Sequence, residues 1–137
     1  MEQNKINERE NKWIMEWRNL SDNEKLSKIE ILTTRHYTIE LISTMEDDNI
    51  KLNALKTAIE KNERLKDELY ITKVISSLKN DEIKEEYLKT INDEHNRASI
   101  IASMKNKELI EKYLPEITDG LEINYIKQKI RKLEENR

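Results

Sequence analysis

Five apolar residues recur along this chain of 137 residues at a nearly constant spacing: Leu20, Met45, Leu78, Met104 and Ile130. The gaps between them are 25, 33, 26 and 26 residues, and the longer gap exceeds 26 by seven, close to two turns of an α-helix. Self-similarity at such a period is typical of stacked helical units that bury their apolar faces against their neighbours. We therefore predict an all-α fold, a short right-handed helical-repeat array (α-solenoid) of about nine helices in helix-turn-helix units of roughly 26 residues. An irregular helical bundle is the alternative.

Each predicted unit contains a helix, a polar turn, a second helix and a second turn. Three copies carry the pattern apolar-small-small-apolar, at 42–45, 75–78 and 101–104, and a Tyr-Leu pair follows the last two at 87–88 and 113–114. Small side chains at these positions would let neighbouring helices approach closely. The alternative is that their hydroxyl groups line a concave face and donate hydrogen bonds to a ligand.

Local signals set the predicted helix limits. Ser21 with Glu24 forms a capping box that starts the second helix, and Pro115 should end or kink the eighth. The fifth helix, about 63–78, is predicted to be the long one that absorbs the seven extra residues, with Leu69 on its apolar face. Further predicted caps are Asp47 or Asp48, Asp81 and Asp119, and the ninth helix should bury Leu121, Ile126, Ile130 and Leu133.

We predict a single domain over 1–137. Residues 1–6 are expected to be disordered because they are polar, 7–33 to form an N-terminal capping pair, and 120–137 a C-terminal capping helix. Trp17 stands where later copies have a core isoleucine, so we expect it to be a core residue of the end unit. Trp13, one turn earlier, extends this cap or serves as an exposed anchor for a partner.

Composition narrows the possible functions. One glycine, one proline and 39% charged residues suit a nearly all-helical protein, and a net charge of −3 argues against a protein built to hold a polyphosphate. The absence of cysteine excludes disulfides and thiolate metal sites. No stretch resembles a membrane span or a signal peptide, so we expect a cytoplasmic protein, of the source cell or of a host.

The sequence offers little chemistry. His36 and His95 lack the further ligands that a zinc site needs, and Gly120, the one glycine, is not part of a phosphate-binding or nucleophile-bearing turn. We therefore expect no catalytic, metal or cofactor site and no enzymatic activity. Lys79 and Lys105 each follow a recurring apolar residue, and Lys127 belongs to a basic stretch of the last helix. With Trp13, these lysines are the candidate partner-binding residues.

The alternation of helix, turn, helix and turn from Trp13 to Leu133 resembles the broad class of α-helical repeats that includes HEAT and armadillo arrays, although its unit is shorter. The resemblance implies an extended surface for a protein partner. We expect a protein-binding module, such as a small adaptor or an inhibitor that covers a partner's surface. The alternatives are a nucleic-acid-binding helical repeat and a self-associating structural protein.

Overall fold

A computed structural model describes residues 2–135. This part of the chain contains nine α-helices and two short 3-10 helices, at Glu63–Leu65 and Leu114–Glu116, and no strand. The prediction of an all-α fold is confirmed. The helices are α1 (Glu2–Trp17), α2 (Asp22–Ile29), α3 (Arg35–Ser43), α4 (Asp48–Lys61), α5 (Glu68–Ser76), α6 (Asp81–Leu88), α7 (Glu94–Ser103), α8 (Lys107–Tyr113) and α9 (Gly120–Glu135).

Most helices begin at a side chain that accepts a hydrogen bond from the first turn. Ser21 caps α2, as predicted, by accepting from the amide of Glu24. Asp47 caps α4 and Asp119 accepts from the first turn of α9. The prediction of Asp81 as a cap is wrong, because Asn80 accepts from the amide of Ile83 and Asp81 is already the first residue of α6.

The first helix begins earlier than predicted. Residues 2–6, which were expected to be disordered, are helical in α1, whereas Met1 lies outside the described residues. Ile6 is half-buried and lies one turn before the buried Glu10, so the inward face of α1 extends to its first turns.

The prediction of a long fifth helix over 63–78 is wrong. Asn62 takes an extended conformation and caps the 3-10 helix Glu63–Leu65, and Asp67 then caps α5 by accepting from the amide of Leu69. The extra residues belong instead to α4, which has 14 residues whereas α2 and α6 have 8 each. α4 thus accounts for six of the seven extra residues. The seventh lies in the connection after α4, because six residues separate α4 from α5 whereas five separate α2 from α3.

The chain forms two compact units, which meet in sequence between Ser77 and Leu78. In the first unit α3 packs against α1, α2, α4 and α5, and its core contains Ile39, Ile42, Met45, Leu55 and Val74. In the second unit α7 packs against α6, α8 and α9, and Ile100, Ile101, Met104, Ile110 and Ile126 are fully buried. The single domain over 1–137 and its two capping segments stay predictions.

Three lysines are buried although they carry a charge. Each Nζ donates a hydrogen bond to a backbone carbonyl at the C-terminal end of the next odd-numbered helix, which removes much of the cost of burying the ammonium. The pairs are Lys25 with Thr44 (3.0 Å), Lys51 with Ser77 (3.0 Å) and Lys84 with Ser103 (2.7 Å).

Carboxylates bind turns that lie about one period further along the chain. Asp22 accepts from the amides of Glu46 (2.9 Å) and Asp47 (2.8 Å), and Asp81 accepts from those of Lys105 (2.9 Å) and Asn106 (2.7 Å). Glu10 in α1 and Glu94 in α7 bind the turns at 33–34 and 118–119 in the same way. Because the amides that precede a helix have no partner within it, these side chains tie each turn to an earlier helix.

Candidate interaction surface

Large apolar side chains are exposed mainly on the odd-numbered helices. Met15 on α1, Leu69 on α5, and Leu121 and Tyr125 on α9 are each at least 60% exposed. Ile31, 48% exposed, lies outside these helices. Leu69 and Leu121 were predicted to be core residues, and both predictions are wrong.

The four exposed residues on the odd-numbered helices occupy only two positions of the period. Leu69 and Leu121 lie nine residues before the next recurring apolar residue, and Met15 and Tyr125 lie five residues before it. Because these two positions are four residues apart, they share one face of a helix. We call them the ridge positions. On α3 and α7 they hold His36, Glu40, His95 and Ser99, none of which is buried.

Both ridge positions of α9 carry exposed apolar side chains. Leu121 is 82% exposed and Tyr125 is 60% exposed, whereas Ile126 on the opposite side of the helix is fully buried. Glu122, next to Leu121, pairs with Nδ1 of His95 on α7. The hydrogen bond to Glu122 raises the pKa of His95 above its usual value, and the charge of Glu122 adds to the effect.

Trp13, a predicted partner-binding residue, is half-buried. Its ring stacks on that of Trp17 with a centroid separation of 5.3 Å, and the guanidinium of Arg9 lies 5.1 Å from the Trp13 centroid. Both tryptophans pack against a core cluster that includes Ile14 and Leu41. Trp17 is therefore only partly buried, and Ile14, 1% exposed, is the core residue of this helix.

Lys79 and Lys105 are both exposed, and the structure brings them together along one open groove of about 710 Å³ in the second unit. The lining also contains Asp81, Glu82 and Glu85. Tyr113 donates a hydrogen bond to Glu85, and this bond, with Lys112 beside it, lowers the pKa of Glu85. Three carboxylates beside two lysines make this groove unfavourable for a polyphosphate.

Lys127, the third predicted lysine, does not line this groove but lies exposed on α9. It belongs to a stretch, residues 123–133, that contains four basic residues and no acidic one. Of the flanking acids, Glu122 pairs with His95 and Glu134 with Lys107, and Glu135 is exposed at the end of α9.

The small hydroxyl residues that precede the recurring apolar positions bond mostly to their own helices. Ser43, Thr44, Ser77 and Ser103 donate to carbonyls three or four residues earlier, at 2.6–2.8 Å. Such bonds satisfy the hydroxyls locally and compete with helix continuation. They favour the packing interpretation of these residues over the ligand-binding alternative.

The histidines pair with carboxylates, His36 with Glu40 at 3.7 Å and His95 with Glu122. Within residues 2–135 no group of three or more His, Asp or Glu side chains is arranged to hold a metal ion. In the same part of the chain, no helix has both the length and the apolar character needed to cross a membrane. Comparison of the chain with protein-family models, curated proteins and solved structures finds no match.

The sequence predicted Lys127 as a candidate partner-binding residue, which stays a prediction, and missed the exposed apolar residues of α9. The repeat pattern could have indicated this surface, because Leu121 and Tyr125 occupy the positions where α7 has His95 and Ser99. An apolar residue at a position that is polar in another copy indicates an exposed apolar side chain. Without this comparison with α7, the helical spacing alone predicts that Leu121 is a core residue.

Proposed function

We propose that this chain is a non-enzymatic protein-binding module, a small cytoplasmic adaptor or inhibitor that acts by covering a partner's surface. In this proposal its helices form a short right-handed helical-repeat array. The recurring bonds of Lys25, Lys51 and Lys84 to helix ends support the repeat, because the same contact joins successive helices at matched positions.

The observation that carries the proposal is the placement of exposed apolar side chains at the ridge positions. Exposed apolar residues scattered singly need no explanation, but Met15, Leu69, Leu121 and Tyr125 all share two positions of one period. Large apolar and aromatic side chains that keep a fixed place on the exposed face are typical anchors for a protein partner.

An affinity capture with paired variants tests this function. The tagged chain and its L69S/L121S/Y125S variant are incubated with lysate of the source cell or its host, at low and high salt, and the bound material is treated with nuclease. We expect a discrete protein that binds the wild-type chain at both salt concentrations and is lost with the ridge variant. Ile31→Ser is the matched control, because Ile31 is an exposed apolar residue outside the ridge positions, and it should retain the protein.

Nucleic-acid binding is the second candidate, favoured by the basic stretch of α9 that contains Lys127. In that case the bound material would be sensitive to nuclease and would be released by salt, since phosphate contacts weaken steeply with ionic strength. Substituting Glu for Lys79, Lys105 and Lys127 together would abolish binding, whereas the ridge variant would retain it. This outcome would contradict the protein-binding proposal.

A further inference from the structure

The outer face of α9 combines an apolar half with a basic half. Leu121 and Tyr125 lie one turn apart near its start, and Lys132 continues the same stripe two turns further on. Arg131 and Lys127 lie on one side of this stripe, about 100° and 140° around the helix from it, and are exposed as well. The helix therefore presents two apolar anchors followed by three cations on its exposed side.

The charge of this face decides which occupant fits it. In an antiparallel pair of α9 helices from two copies that overlap along residues 121–132, Leu121 of one copy would lie opposite Lys132 of the other, so the apolar anchors would meet cations. In the register that places the anchors against each other, the basic halves would lie at opposite ends and meet no opposite charge. An acidic segment of another protein would instead meet opposite charge along the whole basic half. Leu121 and Tyr125, in turn, would be covered by apolar side chains of the same segment.

The apolar half of this face also favours a protein segment over a nucleic acid as the partner. A phosphate backbone uses cations and hydrogen-bond donors, so a leucine that is 82% exposed contributes nothing to such a contact. On α7, which packs against α9, the ridge positions hold Ser99 and the His95 that is paired with Glu122, so they do not extend the basic face.

We propose that the outer face of α9 binds an acidic amphipathic helix of a partner protein. Leu121 and Tyr125 hold its apolar side, and Lys127, Arg131 and Lys132 bind its carboxylates. This inference rests on the proposed protein-binding function and assigns the place and the chemical class of the partner.

The test uses the full chain labelled with ¹⁵N and a synthetic peptide of about 18 residues, long enough to form several helical turns. The peptide contains Glu, Ala and Leu, with the leucines on one helical face. We expect its addition to shift the backbone amide signals of residues 121–132, and its affinity to fall as salt is added. A scrambled peptide of the same composition, whose leucines do not share a face, should bind about tenfold more weakly.

Two sets of substitutions test the apolar half and the basic half of the face independently. L121S/Y125S should weaken binding of the peptide by about tenfold or more, whereas Ile31→Ser, at an exposed apolar residue outside the ridge positions, should leave it unchanged. K127E/R131E/K132E should lose the glutamate peptide and gain affinity for the same peptide with lysine in place of glutamate. All these positions are exposed, and circular dichroism of each variant measures whether its helices are retained.

Several results would overturn the inference: failure of the peptide to bind, equal binding of the scrambled peptide, or equal weakening by Ile31→Ser. Signals that shift only at the ridge positions of α3 or α5 would move the site and leave the protein-binding function intact. If single-stranded DNA shifts the signals of 121–132 and the glutamate peptide does not, the inference and the proposed function both fail.

Discussion

Lys51 provides the sharpest test of how the helices are joined. Its side chain is 2% exposed, and its Nζ donates a 3.0 Å hydrogen bond to the carbonyl of Ser77 at the end of α5. Lys51→Met keeps nearly the same volume but removes the donor. The partly buried carbonyl of Ser77 then loses a charged partner, a change that costs about 1–3 kcal/mol of the free energy of unfolding. Relief of the ammonium's desolvation offsets part of this cost, so we expect a net loss near the lower end of that range.

Lys51→Ala separates packing from hydrogen bonding. It removes three further methylene groups from the buried region, which adds about 2 kcal/mol to the loss. The matched control is Lys56→Met, which lies in the same helix but is exposed, and whose effect should stay within about 0.5 kcal/mol.

Urea unfolding, monitored by tryptophan fluorescence, measures these differences in the free energy of unfolding. Trp13 and Trp17 are the two tryptophans of the chain, and both lie in the first unit with Lys51, so their fluorescence reports that unit. The unfolding midpoint should decrease in the order Lys56→Met, Lys51→Met, Lys51→Ala. Equal midpoints for the two methionine variants would refute a stabilising role for the bond to Ser77.

Three further predictions concern the core, the length of α4 and a surface ion pair. Ile101→Asp, which places a charge at a fully buried position of α7, should abolish the cooperative thermal transition of the second unit followed by circular dichroism, and an unchanged melting temperature would contradict this register. Deleting 56–62 shortens α4 to the length of α2 and should preserve cooperative unfolding in a urea titration. Deleting 65–71 removes a buried leucine and the cap of α5, so it should abolish cooperative unfolding in the same assay. Because Glu122 raises the pKa of His95, His95→Gln should reduce the free energy of unfolding most below the ordinary pKa of 6.5, and this difference should vanish as the pH rises through the raised pKa; a difference independent of pH would contradict the pairing.

The sequence predicted the helical class and most helix starts because both depend on local patterns. Ser21 with Glu24, and Asp119 before the last helix, are capping signals that act within a few residues. The capping role of Asp81 was mistaken because Asn80 competes for the same position, and an isolated sequence does not show that Asp81 binds a turn 24 residues further on. Contacts across such a distance depend on how helices pack, which no local pattern specifies.

The same limit applies to exposed apolar residues. Leu69 and Leu121 fit the helical spacing of a core face, so the pattern placed them inside, yet both are at least 60% exposed. Whether an apolar position is covered depends on a neighbouring helix being present beside it. Lys79 and Lys105, in contrast, each directly follow a recurring apolar residue at a turn, and both line the groove of the second unit.

Lys25, Lys51 and Lys84 are buried at equivalent positions of the repeat, and the fourth equivalent position shows why these three are lysines. Twenty-six residues after Lys84, α8 has Ile110, which is fully buried. The carbonyl that would accept from a lysine there belongs to Lys129, in the interior of α9, which continues to Glu135. Inside a helix a carbonyl already bonds to the amide four residues on, so it offers no free end to cap. The chain thus has a buried ammonium where the neighbouring helix ends and an apolar side chain where it continues.

This explanation predicts the effect of the reverse substitution. Ile110→Lys would bury an ammonium without a free helix end to accept its hydrogen bonds, and should destabilise the second unit by several kcal/mol. Ile110→Met, which keeps the position apolar, should cost less than about 1.5 kcal/mol. Circular dichroism during urea unfolding compares the two variants, because the second unit contains no tryptophan. If Ile110→Lys were as stable as Ile110→Met, the buried lysines would owe their positions to something other than the helix ends they cap.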